Sequence, residues 1–221
     1  MRRVPRLLAY FAGGWLGLFL VVNLTILLVG VMARAASKDP RDHGKHWPSI
    51  TNLREVDDKL LVGAQPSAED YRELAERGVT LVIDVRSSGA ADAHNRDDPE
   101  LLDSLGVKYV SVSMTDGQAP SPGKVRTFLD LVDSNEGRVY AHCGGGVGRS
   151  TSIAAAYQAS LGQDPSVLEQ VATGPPTIEQ IWYVGTIRPN HPEHEISPII
   201  AGVSRFVDMP RTVWGWATSL L

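Results

Sequence analysis

An uncharged run over residues 7–33 sets the strongest limit on how this chain of 221 residues can fold. The run is rich in Leu, Val, Ile, Gly and Phe, and it exceeds the roughly 20 residues that a helix needs to cross a bilayer core. No soluble core that the remaining chain could build is large enough to bury such a helix. Residues 1–33 are therefore predicted to be a basic flank and a single membrane-spanning helix.

A cleaved secretory signal is the alternative interpretation of this segment. Arg2, Arg3 and Arg6 form a basic start, and Ala33-Arg34-Ala35 resembles a signal-peptidase exit. The apolar core of a signal is about 7 to 15 residues long, so this run is too long and the anchor is favoured. Basic residues stand on both sides of the run, so the positive-inside rule leaves the side of the folded domain open.

The composition excludes some partners and some kinds of site. A net charge of -4 offers no basic face, so nucleic acid is not expected to be a partner. The chain has one cysteine, which allows neither an intramolecular disulfide nor a Cys-rich zinc cluster. Cys143 is therefore either a buried apolar side chain or a reactive group.

Composition also divides the chain after the apolar run. Residues 34–56 are polar, contain Pro40, Gly44 and Pro48, and are predicted to be a juxtamembrane linker. Residues 57–188 are predicted to form the folded domain. Residues 189–221 form an amphipathic tail that either packs on the domain or lies in the membrane interface, where Trp and Arg are favoured.

Short apolar strands alternate with amphipathic helices within residues 57–188. Ser67 is predicted to cap the first helix, with Asp70 in the capping-box position. The alternation predicts an α/β fold with a largely parallel sheet, whose ligands gather beyond the carboxyl ends of the strands. Strands are predicted at residues 59–63, 79–83, 107–112 and 138–141.

The segment that follows the last predicted strand carries the chemistry. Residues 142–150 read His-Cys-Gly-Gly-Gly-Val-Gly-Arg-Ser and lead into a predicted helix. Glycines let backbone N–H groups turn inward, which makes a nest for an anion at a helix N-terminus and favours a thiolate at Cys143. Arg149 has a planar fork that can bind two phosphate oxygens. A phosphate site is therefore predicted at Gly144, Gly145, Gly146, Val147, Gly148 and Arg149, with Cys143 as nucleophile.

These residues resemble the signature H-C-x-x-G-x-x-R-[S/T] of the protein tyrosine and dual-specificity phosphatases, with every fixed position filled. Residues 61–67 and 82–86 are similar to the opening of the atypical dual-specificity phosphatases of bacteria, plants and fungi. The resemblance covers residues 57–188 and implies the small phosphatase sandwich, with a mostly parallel sheet flanked by helices. It implies phosphate monoester hydrolysis through a cysteinyl phosphate, without metal or cofactor. It also implies that Ser150 stabilises the leaving thiolate, while His142 fixes the loop by hydrogen bonding.

Enzymes of this family also need a general acid, which an Asp on a mobile loop upstream of the cysteine supplies. Asp116 follows a predicted strand, and its D-G-x-x-P context is similar to the acid loop of the family. An Asp-Gly turn without chemistry is the alternative for this residue. Asp92, Asp97 and Asp98, in a polar loop, are the other candidates for the acid.

The substrate class stays open at the level of the sequence. No Lys or Arg lies between Cys143 and Arg149, which favours a singly phosphorylated group such as phosphotyrosine, phosphoserine or phosphothreonine. The membrane helix favours a phospholipid or inositol phosphate instead. A non-catalytic phosphate-binding module is a further alternative, but the chain retains both the nucleophile and the candidate acid. A lone cysteine also disfavours arsenate reduction through a thiol relay.

Overall fold

The structure is a computed structural model that describes residues 3–36, 49–87 and 99–218. A long helix, α1 (Arg3–Ala36), precedes an alternation of strands and helices. The strands are β1 (Arg54–Glu55), β2 (Leu60–Gly63), β3 (Val79–Asp84), β4 (Lys108–Ser111) and β5 (Arg138–His142). The further helices are α2 (Ala68–Glu76), α3 (Pro99–Ser104), α4 (Pro122–Ser134), α5 (Arg149–Ser160), α6 (Val167–Val171), α7 (Ile178–Thr186) and α8 (Pro198–Thr218).

The five strands form one sheet in the order β1-β2-β5-β3-β4. Strand β1 runs antiparallel to β2, whereas β2, β5, β3 and β4 run parallel to their neighbours. The predicted α/β fold, with a mostly parallel sheet flanked by helices, is confirmed. Strand β5 lies in the middle of the sheet, so the segment that follows it emerges at the centre of the carboxyl edge.

Successive residues of β5 point to opposite faces of the sheet, and both faces are covered. Val139 belongs to a core with Phe128 of α4 and Ile153 of α5, and all three are fully buried. Tyr140 belongs to the core on the other face, which includes Leu74 of α2. Because helices cover both faces, the strands read as continuous apolar runs rather than alternating ones.

Helix α2 begins with the capping box that the sequence predicts. Ser67 Oγ accepts a hydrogen bond from the backbone N–H of Asp70, and the Asp70 carboxylate accepts one from the N–H of Ser67. Ser49 adds two further hydrogen bonds to this carboxylate, from its N–H and its hydroxyl, each 3.0 Å long. Burial alone would raise the pKa of Asp70, but these hydrogen bonds lower it below the ordinary 3.8.

The predicted linker over residues 34–56 is wrong at its carboxyl end. Ile50 is 7% exposed and packs in the core that contains Tyr140, while Arg54 and Glu55 pair with β2. The folded domain therefore begins by residue 49 and not at Asp57. A strand of two residues has no hydrophobic period, so the sequence pattern could not indicate it. Residues 37–48 of the predicted linker lie outside the described residues.

Helix α1 packs on the domain along a single stripe that includes Trp15, Asn23 and Gly30, which lie about two helical turns apart. At Gly30 the approach is so close that a Cβ would lie 2.2 Å from the carbonyl oxygen of Val171 in α6. The rest of α1 leaves apolar side chains exposed, among them Leu24 and Leu28. The segment Ala9–Ala36 is long and apolar enough to cross a membrane.

Within the predicted C-terminal tail, residues 198–218 form α8, which packs against α7 and α1. Ser204, Val207 and Asp208 are buried on one side of the helix. Pro210 lies inside α8 and has no N–H to donate to the carbonyl of Phe206, one turn earlier. The indole Nε1–H of Trp15 in α1 donates to that carbonyl instead, at 2.8 Å. A hydrogen bond that proline removes from one helix is thus replaced by a side chain of another.

Candidate active site

The segment that follows β5 turns directly into the first turn of α5. Gly148 stands at the N-cap of α5 without a side-chain capping bond, and Arg149 is the first helical residue. The backbone N–H groups at this end of the helix are directed towards the loop, which is the arrangement that binds anions. Cys143 follows the last strand residue and lies at the base of the loop with 3% of its surface exposed.

Gly146 has a backbone conformation that only glycine adopts easily. Its φ is +69°, and an added Cβ would lie 2.7 Å from the nitrogen of Ala64 and 2.8 Å from the carbonyl carbon of Gly63. The loop therefore touches the end of β2 at this point. A Cβ on the adjacent Gly145 would meet its nearest atom at 3.8 Å, an ordinary contact. The fixed glycine of the signature is thus sterically required, whereas Gly145 is not.

Ser150 and His142 both contact Cys143, Ser150 at the sulfur and His142 at the backbone carbonyl. The Ser150 hydroxyl oxygen lies 3.4 Å from Cys143 Sγ. His142 is fully buried, stacks on Tyr140 with 5.7 Å between ring centroids, and places Nδ1 3.3 Å from the carbonyl oxygen of Cys143. On the far side of the ring, the Tyr71 hydroxyl lies 3.4 Å from Nε2. His142 therefore lies beneath the loop, whereas Ser150 reaches the sulfur itself.

Asp116 and Arg149 form an ion pair across the cleft, with 3.2 Å between Asp116 Oδ1 and Arg149 Nη2. The arginine side chain is 5% exposed and the aspartate side chain 65% exposed. Asp116 is thus held by the cleft's own cation while remaining open to solvent. Asp92, Asp97 and Asp98, the alternative acids, lie outside the described residues.

The loop that carries Asp116 is tied to the start of α7. Thr177 Oγ1 donates to the carbonyl of Gly117 at 2.6 Å, and the N–H of Ala119 donates to Glu179 Oε1 at 3.1 Å. Glu179 is 3% exposed, so this contact is shielded from water. These bonds hold the backbone of the loop immediately after Asp116. The Asp116 side chain itself stays exposed to solvent.

The ion pair lies in a cleft of about 350 Å³. Six residues that the sequence predicts for the site line this cleft, namely Asp116, Cys143, Gly145, Val147, Gly148 and Arg149, and Gly117 lines it beside Asp116. Gly144 lines a neighbouring cleft of about 650 Å³ beside Gln65 and Ser67.

Four residues that the sequence analysis did not single out also line the active-site cleft: Pro175, Pro176, Gln180 and Arg211. Gln180 could have been found, because Thr177 and Gln180 form a capping box, and a helix that starts after a Pro-Pro pair is a recognisable signal. Arg211 has no such local signal. Its position depends on how α8 packs against the domain.

Within residues 3–36, 49–87 and 99–218, no three His, Cys, Asp or Glu side chains are grouped so that they could hold a metal ion. The predicted chemistry of Cys143 would use the loop amides and Arg149 to balance phosphate charge.

A cysteine at the base of an anion-binding loop, beside a buried arginine and a loop aspartate, is the arrangement of the cysteine-based phosphatases. The family described as "DSP-PTPase phosphatase fused to NAD+ Kinase" matches residues 45–180, which is more than half of the chain. The chain therefore belongs to this family of dual-specificity-type phosphatases.

Individual relatives resemble only part of the chain. Dual specificity protein phosphatase 26 of Bos taurus is 32% identical over 103 residues, which cover 44% of this chain and 46% of the relative. The chain thus spans about half the length of the curated relatives it matches. Among solved structures, Tk-PTP in its active form has a TM-score of 0.47 at 18% identity, covering 74% of this chain and 99% of that one. TpbA of P. aeruginosa has a TM-score of 0.43 at 24% identity, covering 51% and 65%.

Proposed function

We propose that this protein hydrolyses phosphate monoesters through a cysteinyl-phosphate intermediate. The observation that carries the proposal is the joint placement of Cys143, Arg149 and Asp116 in one cleft at the N-terminus of α5. The three groups supply a nucleophile, a cation for the phosphate oxygens and an acid. A module that only bound phosphate would have no use for the nucleophile and the acid together.

In the first step the Cys143 thiolate attacks phosphorus, and the bond between phosphorus and the leaving oxygen breaks. Asp116, in its protonated form, gives a proton to that oxygen, so the product leaves as a neutral alcohol. Arg149 and the loop N–H groups bind the phosphoryl oxygens as their charge redistributes. Because the phosphate would take over the fork of Arg149, the ion pair with Asp116 would open and release the carboxyl group toward the leaving oxygen.

In the second step a water molecule attacks the cysteinyl phosphate. Asp116, now a carboxylate, accepts a proton from the water, and the electrons of the sulfur–phosphorus bond return to Cys143 as a thiolate. Ser150 supports this step, because its hydroxyl lies 3.4 Å from Sγ and can donate a hydrogen bond to the departing thiolate. The net reaction consumes one water and yields inorganic phosphate.

The proposed substrates are proteins that carry phosphotyrosine, with phosphoserine and phosphothreonine as further possibilities. A lipid or inositol phosphate is a second candidate class for the same site. The specific observation that favours it is Arg211, a cation that α8 brings to the cleft from outside the signature.

We also propose that α1 anchors the domain to a membrane as a single-pass helix, with the catalytic domain extending from residue 49 to the region before α8. The support is the length of α1 and the apolar surface that it leaves exposed, which lipid would cover. We expect the full chain to stay with membranes through a carbonate wash. Release of the chain into the carbonate supernatant would contradict the anchor, and protease accessibility in intact cells would give the side that the domain faces.

Asp116→Asn tests the chemistry. We expect this variant to slow hydrolysis of an alkyl or tyrosyl phosphate by about 10² to 10⁴-fold, the usual contribution of a general acid. We expect a much smaller loss with p-nitrophenyl phosphate, whose leaving group needs little protonation. Asp130→Asn is the matched control, because Asp130 is exposed on α4 and does not line the cleft. Equal losses on both substrates would move the acid to another residue.

A further inference from the structure

We propose that Arg211 is a specificity-determining residue that binds a second anionic group of the substrate, beside the phosphate that Cys143 attacks. The inference rests on the proposed phosphatase activity and adds a substrate class to it. The class is a phosphomonoester that carries a second phosphate, as in the head group of a phosphorylated membrane lipid.

The position of Arg211 is the first support. Arg211 lines the same cleft as Cys143, Arg149 and Asp116, although it lies 62 residues beyond Arg149 in the chain, on the C-terminal helix. The cleft thus contains a second guanidinium group that the signature does not provide. A planar guanidinium binds phosphate or carboxylate oxygens in pairs, which makes a second acidic group the natural ligand.

The partners of the two arginines differ, and this difference leaves Arg211 available. Arg149 is paired with the Asp116 carboxylate. Arg211 donates to neutral acceptors, to Asn23 Oδ1 at 2.7 Å and to the carbonyl of Pro175 at 3.4 Å from both terminal nitrogens. Within the part of the chain that the structure describes, no carboxylate lies within 4.0 Å of its nitrogens and Nε makes no hydrogen bond. The Asp208 carboxylate, three residues earlier on α8, interacts with Arg211 electrostatically but forms no ion pair with it, so Nε of Arg211 stays open to a ligand.

Helix α1 determines where the guanidinium lies. Asn23 holds one end of it, and Asn23 Nδ2 is itself tied to the carbonyl of Phe19 at 2.9 Å, which fixes the amide. Pro210, immediately before Arg211, interrupts the hydrogen bonding of α8, and Trp15 restores it from α1. Arg211 is therefore oriented by contacts with the N-terminal helix, and Asn23 is its positioning residue.

The surroundings favour a lipid head group over an acidic phosphopeptide as the source of the second anion. Phe206 of α8 contacts the rings of Phe11 and Trp15, with centroid distances of 6.5 and 5.8 Å, so the exposed apolar surfaces of the two helices join. Met209, two residues before Arg211, is 42% exposed on the same helix. An exposed apolar and aromatic surface next to a cationic cleft suits a bilayer better than a hydrophilic peptide.

The test compares how each variant changes kcat/KM for a single-phosphate substrate and for double-phosphate substrates, using the full chain in detergent and in phosphatidylcholine vesicles. The single-phosphate substrate is p-nitrophenyl phosphate. The two double-phosphate substrates share one polyol head group, which carries a phosphodiester and a terminal phosphomonoester that the enzyme would hydrolyse. One is the deacylated compound in solution, and the other is the diacyl lipid in vesicles. We expect Arg211→Gln to lower kcat/KM for the double-phosphate substrates by about 10- to 100-fold more than for p-nitrophenyl phosphate, the usual effect of losing a charge-assisted hydrogen bond. Arg211→Lys, which keeps the charge and loses the fork, should fall between these values.

Two controls separate this role from a structural one. With α1 packed on the domain as in this structure, Asn23→Ala should shift the same ratio in the same direction, through KM, whereas Thr25→Ala should not, because Thr25 bonds only within α1, to Val21. Arg126→Gln removes a positive charge that is paired with Glu193 on the surface and should leave the ratio unchanged.

Each outcome decides a separate question. A selective loss on both double-phosphate substrates, or on the vesicle lipid alone, supports the inference, and the second result assigns the ligand to the membrane. An unchanged ratio in Arg211→Gln overturns the inference, and so does a selective loss confined to acidic phosphopeptides. If the unmodified chain fails to hydrolyse even p-nitrophenyl phosphate, the proposed phosphatase activity itself is wrong.

Discussion

Gly146→Ala is the substitution for which the structure gives the clearest quantitative expectation. A methyl group at φ +69° places alanine in the left-handed region, at a cost of roughly 1 to 2 kcal/mol. The Cβ would also lie 2.7 Å and 2.8 Å from backbone atoms of Ala64 and Gly63, which cannot rotate away. Overpacking of this kind costs about 1 to 3 kcal/mol. Together we expect a decrease of about 2 to 5 kcal/mol in the free energy of unfolding, unless the loop moves away from β2.

Movement of the loop would relieve the overlap at the expense of the chemistry. A displacement of about 1 Å in groups that position a substrate can lower turnover by about 100-fold. We therefore expect Gly146→Ala to lose stability, activity or both, as measured by chemical unfolding and by the rate on p-nitrophenyl phosphate.

Gly145→Ala is the matched control, because the two glycines are adjacent in the same loop and the new methyl group at Gly145 would make only an ordinary contact at 3.8 Å. We expect its loss of activity to be at least about tenfold smaller than that of Gly146→Ala. Similar losses in the two variants would refute the steric argument. The glycines would then matter for a shared property, such as the inward turn of their N–H groups.

Three further predictions follow from other contacts. Cys143→Ser should abolish turnover without unfolding the chain, because a serine hydroxyl does not ionise at neutral pH, and measurable hydrolysis by this variant would contradict the nucleophile. The hydrogen bonds of Asp70 lower its pKa in the folded state, so its contribution to stability is present above about pH 4 and is lost as the pH falls through the lowered pKa. The difference in unfolding free energy between the unmodified chain and Asp70→Asn should therefore shrink in acid, and a difference that grows there would show the opposite shift. Trp15→Phe should cost about 0.5 to 1.5 kcal/mol, whereas in a Pro210→Ala background, where the Phe206 carbonyl regains a donor within α8, the cost should be smaller. Equal costs in both backgrounds would mean that the indole bond contributes nothing.

The parts of the fold that sequence reasoning could predict are those with a local cause. The capping box at Ser67 and the continuously apolar strand β3 depend on neighbours within a few residues, and such signals survive in a single sequence. The placement of Cys143 and Arg149 in one cleft was predictable for the same reason, because both lie in one contiguous segment, whereas their roles in catalysis stay predictions. Asp116 could be proposed as the acid from the sequence because it follows a predicted strand and precedes a glycine.

The parts that could not be predicted depend on packing between distant segments. Arg211 reaches the cleft only because α8 packs on α7 and α1, and no pattern within α8 encodes that direction. The sequence also could not predict which face of α1 contacts the domain. A helix that is apolar on all sides has no hydrophobic periodicity to indicate its buried side. Two residues of that face carry polar groups that bond α8, namely Trp15 and Asn23.

The indole of Trp15 in α1 bonds the Phe206 carbonyl that Pro210 leaves without a donor in α8. The stability of α8 is therefore coupled to the position of α1. The stripe of α1 that contacts α8 lies in the middle of the segment that a bilayer would take up, so lipid and the catalytic domain compete for the same residues. Insertion of this stripe into lipid would expose the Phe206 carbonyl and release Arg211 from Asn23. The membrane would then act as a ligand of the enzyme, because the free energy of insertion would be linked to the geometry of the active-site rim.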